Sequence, residues 1–297
     1  MKYFSSKTEG LFNFSDLRKP SIKVAYALMF VFMLFIAAIC IFPVLWVFLS
    51  GFKEPSELYQ IPPTFFPKSF ELGKVKDVIG QINLSKYFIN TFWIIIGSLI
   101  FDIIINGLAG YVLSRLKPLG TPILETLVFW SMLLPSVSMA PLYMTFVDMP
   151  LIHVNLTGTF LPLFLMAGCN AFNIMLFRNF FNGIPMDYVE AARIDGCSDA
   201  GIFRHIILPL SKPIVVVVAI FNIIASWSNF MWPYLILGDS GREPISVLLY
   251  SLSLGKLNIN DSELMLIVML SILPPIVIYA LLSKHITGGL NMSGIKG

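Results

Sequence analysis

The run Arg178-Asn-Phe-Phe-Asn-Gly-Ile-Pro-Met-Asp-Tyr-Val-Glu-Ala-Ala-Arg-Ile-Asp-Gly-Cys-Ser-Asp-Ala-Gly-Ile-Phe-Arg-His-Ile-Ile-Leu-Pro209 lies between two long apolar stretches. It is too long and too rich in helix signals for a simple connector. Its residues predict two short helices joined by a tight turn. Asp187 is expected to cap the first, with Glu190 three residues on completing a variant of the capping box. Gly196 suits the left-handed position that ends that helix. Ser198 is expected to cap the second helix and Pro209 to stop it. Ile202, Phe203, Ile206 and Ile207 share one face at helical spacing. Ala191 and Ala192 leave a small-residue surface that another protein can approach closely. Two uses fit such a segment: a docking element, or an amphipathic helix lying on lipid headgroups.

The sequence around this run is that of a membrane protein. The 297 residues are 57% hydrophobic and only 12% charged, and mean hydropathy is +0.81. A soluble domain carries about 25% charged residues, so this chain cannot cover a water-facing surface. Six apolar stretches reach the ~20 residues that a spanning helix needs: Val24–Ser50, Tyr87–Leu113, Ile123–Val147, Gly158–Phe177, Pro213–Leu237 and Leu264–Leu282. They are continuous rather than alternating, which excludes a barrel pattern. The first runs uncharged from Val24 to Phe52, far beyond a signal-peptide core, and is expected to be retained. With the N-terminus inside, 13 of the 20 Lys and Arg residues fall on the inner side, and five of the other seven sit in one outer loop, Gly51–Lys86. This predicts both termini in the cytoplasm. The expected organisation is an all-α membrane protein: a cytoplasmic tail over 1–23, a transmembrane domain over 24–283 with its inner loop at 183–212, and a tail over 284–297.

The run Arg178–Pro209 resembles the Glu-Ala-Ala loop of binding-protein-dependent ABC importer permeases. That pattern is Glu-Ala-Ala, three residues, Gly, nine residues, Ile-x-Leu-Pro. Here it reads Glu190-Ala191-Ala192, Gly196 and Ile206-x-Leu208-Pro209, without a gap. Pro141-Leu142-Tyr143, Trp227 to Pro233 and the closing Gly294-Ile295-Lys296-Gly297 resemble the carbohydrate branch, specifically the second maltose-type permease. The likeness is good from about Asn90 onward and weak before it. After Trp227 it departs from the branch, with Ser228 and Asn229 where Asn and an acid are common. The resemblance implies the six-helix type I importer architecture in the bacterial cytoplasmic membrane. It also implies a second permease, two ATPase subunits that hold ATP and Mg2+, and an extracytoplasmic solute-binding protein. It assigns ATPase coupling to Glu190, Ala191, Ala192, Asp195, Gly196, Phe203, Ile206, Leu208, Pro209 and the tail residues Lys296 and Gly297. The cargo expected is a sugar or oligosaccharide. A non-sugar solute, or an ion-coupled secondary transporter, are the alternatives.

Polar groups at membrane depth are the candidates for a solute path: Asn170, Asn173, Asn222, Ser226, Trp227 and Asn229. They serve equally well as interhelical hydrogen bonders. Asp102, near the middle of the second stretch, reads as a protonated or paired structural carboxylate, or as a pathway residue. The outer loop Gly238–Asp261, with Gly241 and Arg242, is a candidate contact for the binding protein. Cys40, Cys169 and Cys197 lack metal-ligand spacing and are expected to be small buried apolar residues. No phosphate-binding loop, catalytic triad or carboxylate pair is present in the sequence, so no enzymatic role and no directly bound cofactor are expected. The dispersed charge carries no nucleic-acid footprint.

Overall fold

The computed structural model describes residues 20–70, 72–133, 139–150 and 152–290. Lys296 and Gly297, and the rest of the closing Gly294–Gly297 motif, lie outside them. The described residues are helical, with no strand among them. Three helices are long and apolar enough to cross a bilayer unaided, and five if each of two bent pairs counts as one span.

The chain divides into two compact units, Met1–Glu71 with Asn260–Met269, and Leu72–Ile259 with Leu270–Gly297. In the first, helix α1 (Pro20–Ser50) is apolar all round, and its most hydropathic window is exposed throughout. A helix with that surface is stable only in lipid or against a partner. The short α2 (Pro55–Leu58) begins on Pro55, where a missing N–H is harmless. Lys53 is buried, with its ammonium 4.3 Å from the Trp46 ring centroid and donating to the Thr64 carbonyl.

The second unit contains α3 (Leu72–Ile82), α4 (Leu84–Leu116), α5 (Thr121–Leu133), α6 (Met139–Val147), α7 (Leu161–Gly168) and α8 (Ala171–Asn182). After them come α9 (Asp187–Ile194), α10 (Asp199–Leu210), α11 (Lys212–Ser228), α12 (Met231–Leu237) and α13 (Ile245–Ser253). The closing α14 (Asp261–Leu290) runs through Pro274 and Pro275. The expected third stretch falls on α5 and α6, on either side of the undescribed 134–138. The expected fourth is bent by 44° between α7 and α8. The expected fifth breaks at Asn229, whose backbone is extended.

Helix α4 is the centre of this unit. Small residues let its neighbours approach. A Cβ on Gly97 would lie 2.2 Å from the Phe164 ring, and one on Gly110 would lie 2.7 Å from the Phe177 Cβ and 2.9 Å from the Arg178 nitrogen. Two apolar cores result. One joins Tyr111, Phe177, Phe181, Val189, Ile202 and Ile207. The other joins Ile94, Phe146, Leu163, Ile236 and Leu237.

Four expectations are corrected. Met186, already helical at φ −68° and ψ −26°, occupies the cap position of α9, so Asp187 is its first residue and makes no capping bond. The Asp187 and Glu190 charges still favour the positive end of that helix. Pro209 does not stop α10. A π-turn over Phe203–Ile207, closed by the Leu208 N–H on the Phe203 carbonyl, precedes the proline, and the helix continues to Leu210. The wide turn redistributes the hydrogen bonds around a residue that cannot donate one. The three cysteines are exposed rather than buried. Gly238–Asp261 is not a plain loop but contains α13, with Ile245, Val247, Leu248 and Leu252 buried.

Candidate functional site

The predicted helix pair forms. Helix α9 ends in the arrangement that a left-handed glycine permits. Gly196 has φ +80°, its N–H donates to the Arg193 carbonyl at 3.0 Å, and the Cys197 N–H donates to the Ala192 carbonyl at 2.9 Å. Ser198 caps α10 by accepting the Gly201 N–H at 3.2 Å. The pair is seated by apolar burial: Val189, Ile202 and Ile207 are inaccessible, and Phe203 and Ile206 are partly buried against the same core.

The end of α4 holds this hairpin. Phe203 packs on Tyr111 with ring centroids 5.1 Å apart. The Arg115 guanidinium donates to the carbonyls of Phe181 and Ile184, and so binds the segment that leads into α9. The opposite surface is free: Glu190, Ala191, Arg193, Asp195 and Gly196 are exposed, and Ile194 is 86% exposed. Ala192 faces the core, so only Ala191 of the alanine pair contributes to that surface. Leu208 is partly buried and Pro209 is exposed.

A second region lies further up α4. Asp102 is buried and, among the described residues, receives only amide donors. Asn106 donates to Oδ1 at 2.6 Å, Asn173 to Oδ1 and Oδ2 at 3.1 and 2.9 Å, and Asn222 to Oδ2 at 2.9 Å. Three helices, α4, α8 and α11, are tied at one carboxylate. It is a structural carboxylate hydrogen-bonded between helices, with asparagines as its partners. Asn106 extends the network, donating to the Ala167 carbonyl at 2.9 Å and accepting the Asn170 N–H at 3.2 Å. A π-turn spans Asp102–Asn106 itself.

Asp102 also lines a cavity of about 440 Å³. Asn170, Asn173, Asn222, Ser226 and Asn229 line it too, so five of the six path candidates meet in one place. Trp227 does not: its ring lies 6.3 Å from Phe88 and 6.2 Å from Phe92, and it borders a separate apolar groove with Pro275 and Tyr279. Phe172 and Phe221, edge to face at 6.0 Å, border the polar cavity. Sequence reasoning did not pick out Asn106. The signal was its spacing of four from Asp102, which places both on one helical face.

Near the opposite end of α4, Gly241 has φ +75° and Arg242 donates to the Gly158 carbonyl at 2.8 Å. Asn90 donates to the carbonyls of Gly241 and Glu243 at 3.4 and 3.1 Å, and the Thr91 hydroxyl accepts the Ile245 N–H at 3.0 Å. The candidate outer contact is thus a fixed turn that leads into α13. No group of His, Cys, Asp and Glu suited to a metal occurs among the described residues.

The chain is similar to known proteins along most of its length. A polygalacturonan/rhamnogalacturonan transport system permease of Bacillus subtilis is 28% identical over 285 residues, covering 91% of this chain and 97% of the relative. An arabinooligosaccharides transport system permease of Halalkalibacterium halodurans is 28% identical over 267 residues, covering 89% and 94%. Among solved structures, a bacterial ABC transporter that imports the acidic polysaccharide alginate has the same fold, with a TM-score of 0.79 at 22% identity over 90% of this chain and 98% of that one. Residues 103–291, most of the chain and including α8 to α13, match the model of the binding-protein-dependent transport system inner membrane components. The chain belongs to that family.

Proposed function

We propose that this chain is one of two permease subunits of a bacterial ABC importer for a sugar or oligosaccharide, the solute class named for the relatives above. The Asp102 cavity forms part of its solute path, and the second permease completes that path. The free Asn170 and Asn229 amide groups suit solute hydroxyls, because the oxygens of both residues are already used as acceptors by the Asn173 and Trp232 N–H groups. Phe172 and Phe221 offer apolar faces to the sugar ring. An extracytoplasmic binding protein delivers the solute, with the Gly241–Arg242 turn as its contact. Both chain termini face the cytoplasm.

Coupling runs through the hairpin. Each ATPase subunit, loaded with ATP and Mg2+, accepts one permease's hairpin in a cleft and moves it as the ATPases close. The observation that carries this reading is the hairpin's division into two faces: one set in the apolar core under Tyr111, the other exposed at Glu190, Ala191 and from Arg193 to Gly196. Lys296 and Gly297 are a second ATPase contact. The permease binds no nucleotide itself.

The test is Gly196→Pro in the assembled importer. Proline fixes φ near −65°, against +80° here, and so breaks the turn. Uptake and solute-stimulated ATP hydrolysis should both be lost, while size-exclusion chromatography reports whether the subunits still assemble. Uptake that survives the substitution would falsify the coupling role.

A further inference from the structure

The Asp102 cavity has one sign of charge. Its described lining contains a carboxylate, four asparagines and two serines among apolar residues, and no lysine, arginine or histidine. Every described hydrogen bond to the Asp102 carboxylate comes from an amide N–H. Those bonds use both of its oxygens as acceptors of amide hydrogens. Amides orient and hydrogen-bond a carboxylate but do not cancel its charge. Its field therefore extends into the cavity, whose walls mix amide and hydroxyl groups with apolar side chains.

From this geometry we infer that the Asp102 cavity is a charge filter. It admits neutral or cationic polyhydroxylated solutes and rejects anionic ones such as uronic acids and phosphorylated sugars, a selectivity opposite to the acidic cargo named for the polygalacturonan relative and the alginate importer. The inference rests on the solute path proposed above and narrows its cargo. Selection is by repulsion: Asp102 is enclosed by its three asparagines, so it acts through its field and not as a direct ligand. Asn173 and Asn222 hold the carboxylate, while the Asn170 and Asn229 amides and the Ser226 hydroxyl are left to meet sugar hydroxyls.

The experiment needs no knowledge of the cargo. Cys40, Cys169 and Cys197 are replaced by alanine, Ser226 on the cavity wall becomes the only cysteine (Ser226→Cys), and the full importer is assembled in nanodiscs. Modification by a cationic and an anionic methanethiosulfonate of similar size is timed. With rates normalised to free cysteine, the cationic reagent should be faster by about tenfold or more, as one charge at close range implies at an effective dielectric constant of ~20. Asp102→Asn should remove the bias and Asp102→Glu should keep it. Equal rates, no reaction with either reagent, or a bias that survives Asp102→Asn would overturn the filter. Uptake of a neutral oligosaccharide by the same importer separates the two ideas. Failed uptake with the bias intact removes the sugar reading and leaves the filter, and uptake without a bias does the reverse.

Discussion

The hairpin and the cavity are built from opposite materials. The hairpin is seated by a dry core of Val189, Ile202, Ile207, Phe177 and Phe181, and presents polar groups only where it leaves the protein. The cavity is tied at its base by a polar knot, Asp102 with three asparagines, inside otherwise apolar helices. Apolar packing resists a push over its whole area, which suits a joint that carries force. A hydrogen-bonded knot is directional and exchanges partners with water or solute, which suits a wall that must meet cargo.

If the hairpin's seat is a packed core, the largest loss should come from hollowing it. Phe181→Ala should lower the stability of the purified importer by about 3–5 kcal/mol, read as a fall in the thermal or denaturant midpoint. A loss below 1 kcal/mol would mean that the seat is loosely packed. Asp102→Ala tests the knot. Stranding the amides of Asn106, Asn173 and Asn222 should destabilise by about 1–3 kcal/mol, less than Phe181→Ala because cavity water can satisfy some of them. An effect larger than that of Phe181→Ala would reverse the comparison. Ser198→Ala removes a single helix cap and should cost about 1 kcal/mol, with the ATPase stimulated less sharply by solute. The smallest change belongs to Arg193→Ala. Its 3.2 Å pair with Asp199 is exposed on both sides, so the stability change should stay under about 0.5 kcal/mol, and any loss of uptake would then report partner contact.

The two regions were unequally legible in the sequence. The hairpin depends on local chemistry, a left-handed glycine, a serine cap and a four-residue apolar face, and its helices and turn follow from those residues. Its errors were also local. The Met186 backbone decided where α9 starts, and a π-turn carried α10 past Pro209, and neither has a residue signature. The cavity's asparagines were visible as polar groups in apolar stretches. Their convergence was not visible, because Asp102, Asn173 and Asn222 are brought together by helix packing across long sequence separations. Trp227 shows the limit: one position from Ser226 on a helix is a turn of about 100°, enough to face another groove. Helix α13 was missed because Ile245, Leu248, Leu249 and Leu252 form a short apolar face inside a segment read as loop.

Helix α4 contributes Asp102 to the cavity, with Asn106 bonded to it, and both Tyr111 and Arg115 to the hairpin. From Asp102 to Arg115 is only about 20 Å of one helix at ~1.5 Å per residue. On the function proposed above, cargo selection and ATPase docking are therefore not separable modules. A chimera that grafts another permease's hairpin onto this chain should need that permease's residues at 111 and 115 as well, and uptake by the chimera tests whether changing them alters what passes the Asp102 cavity.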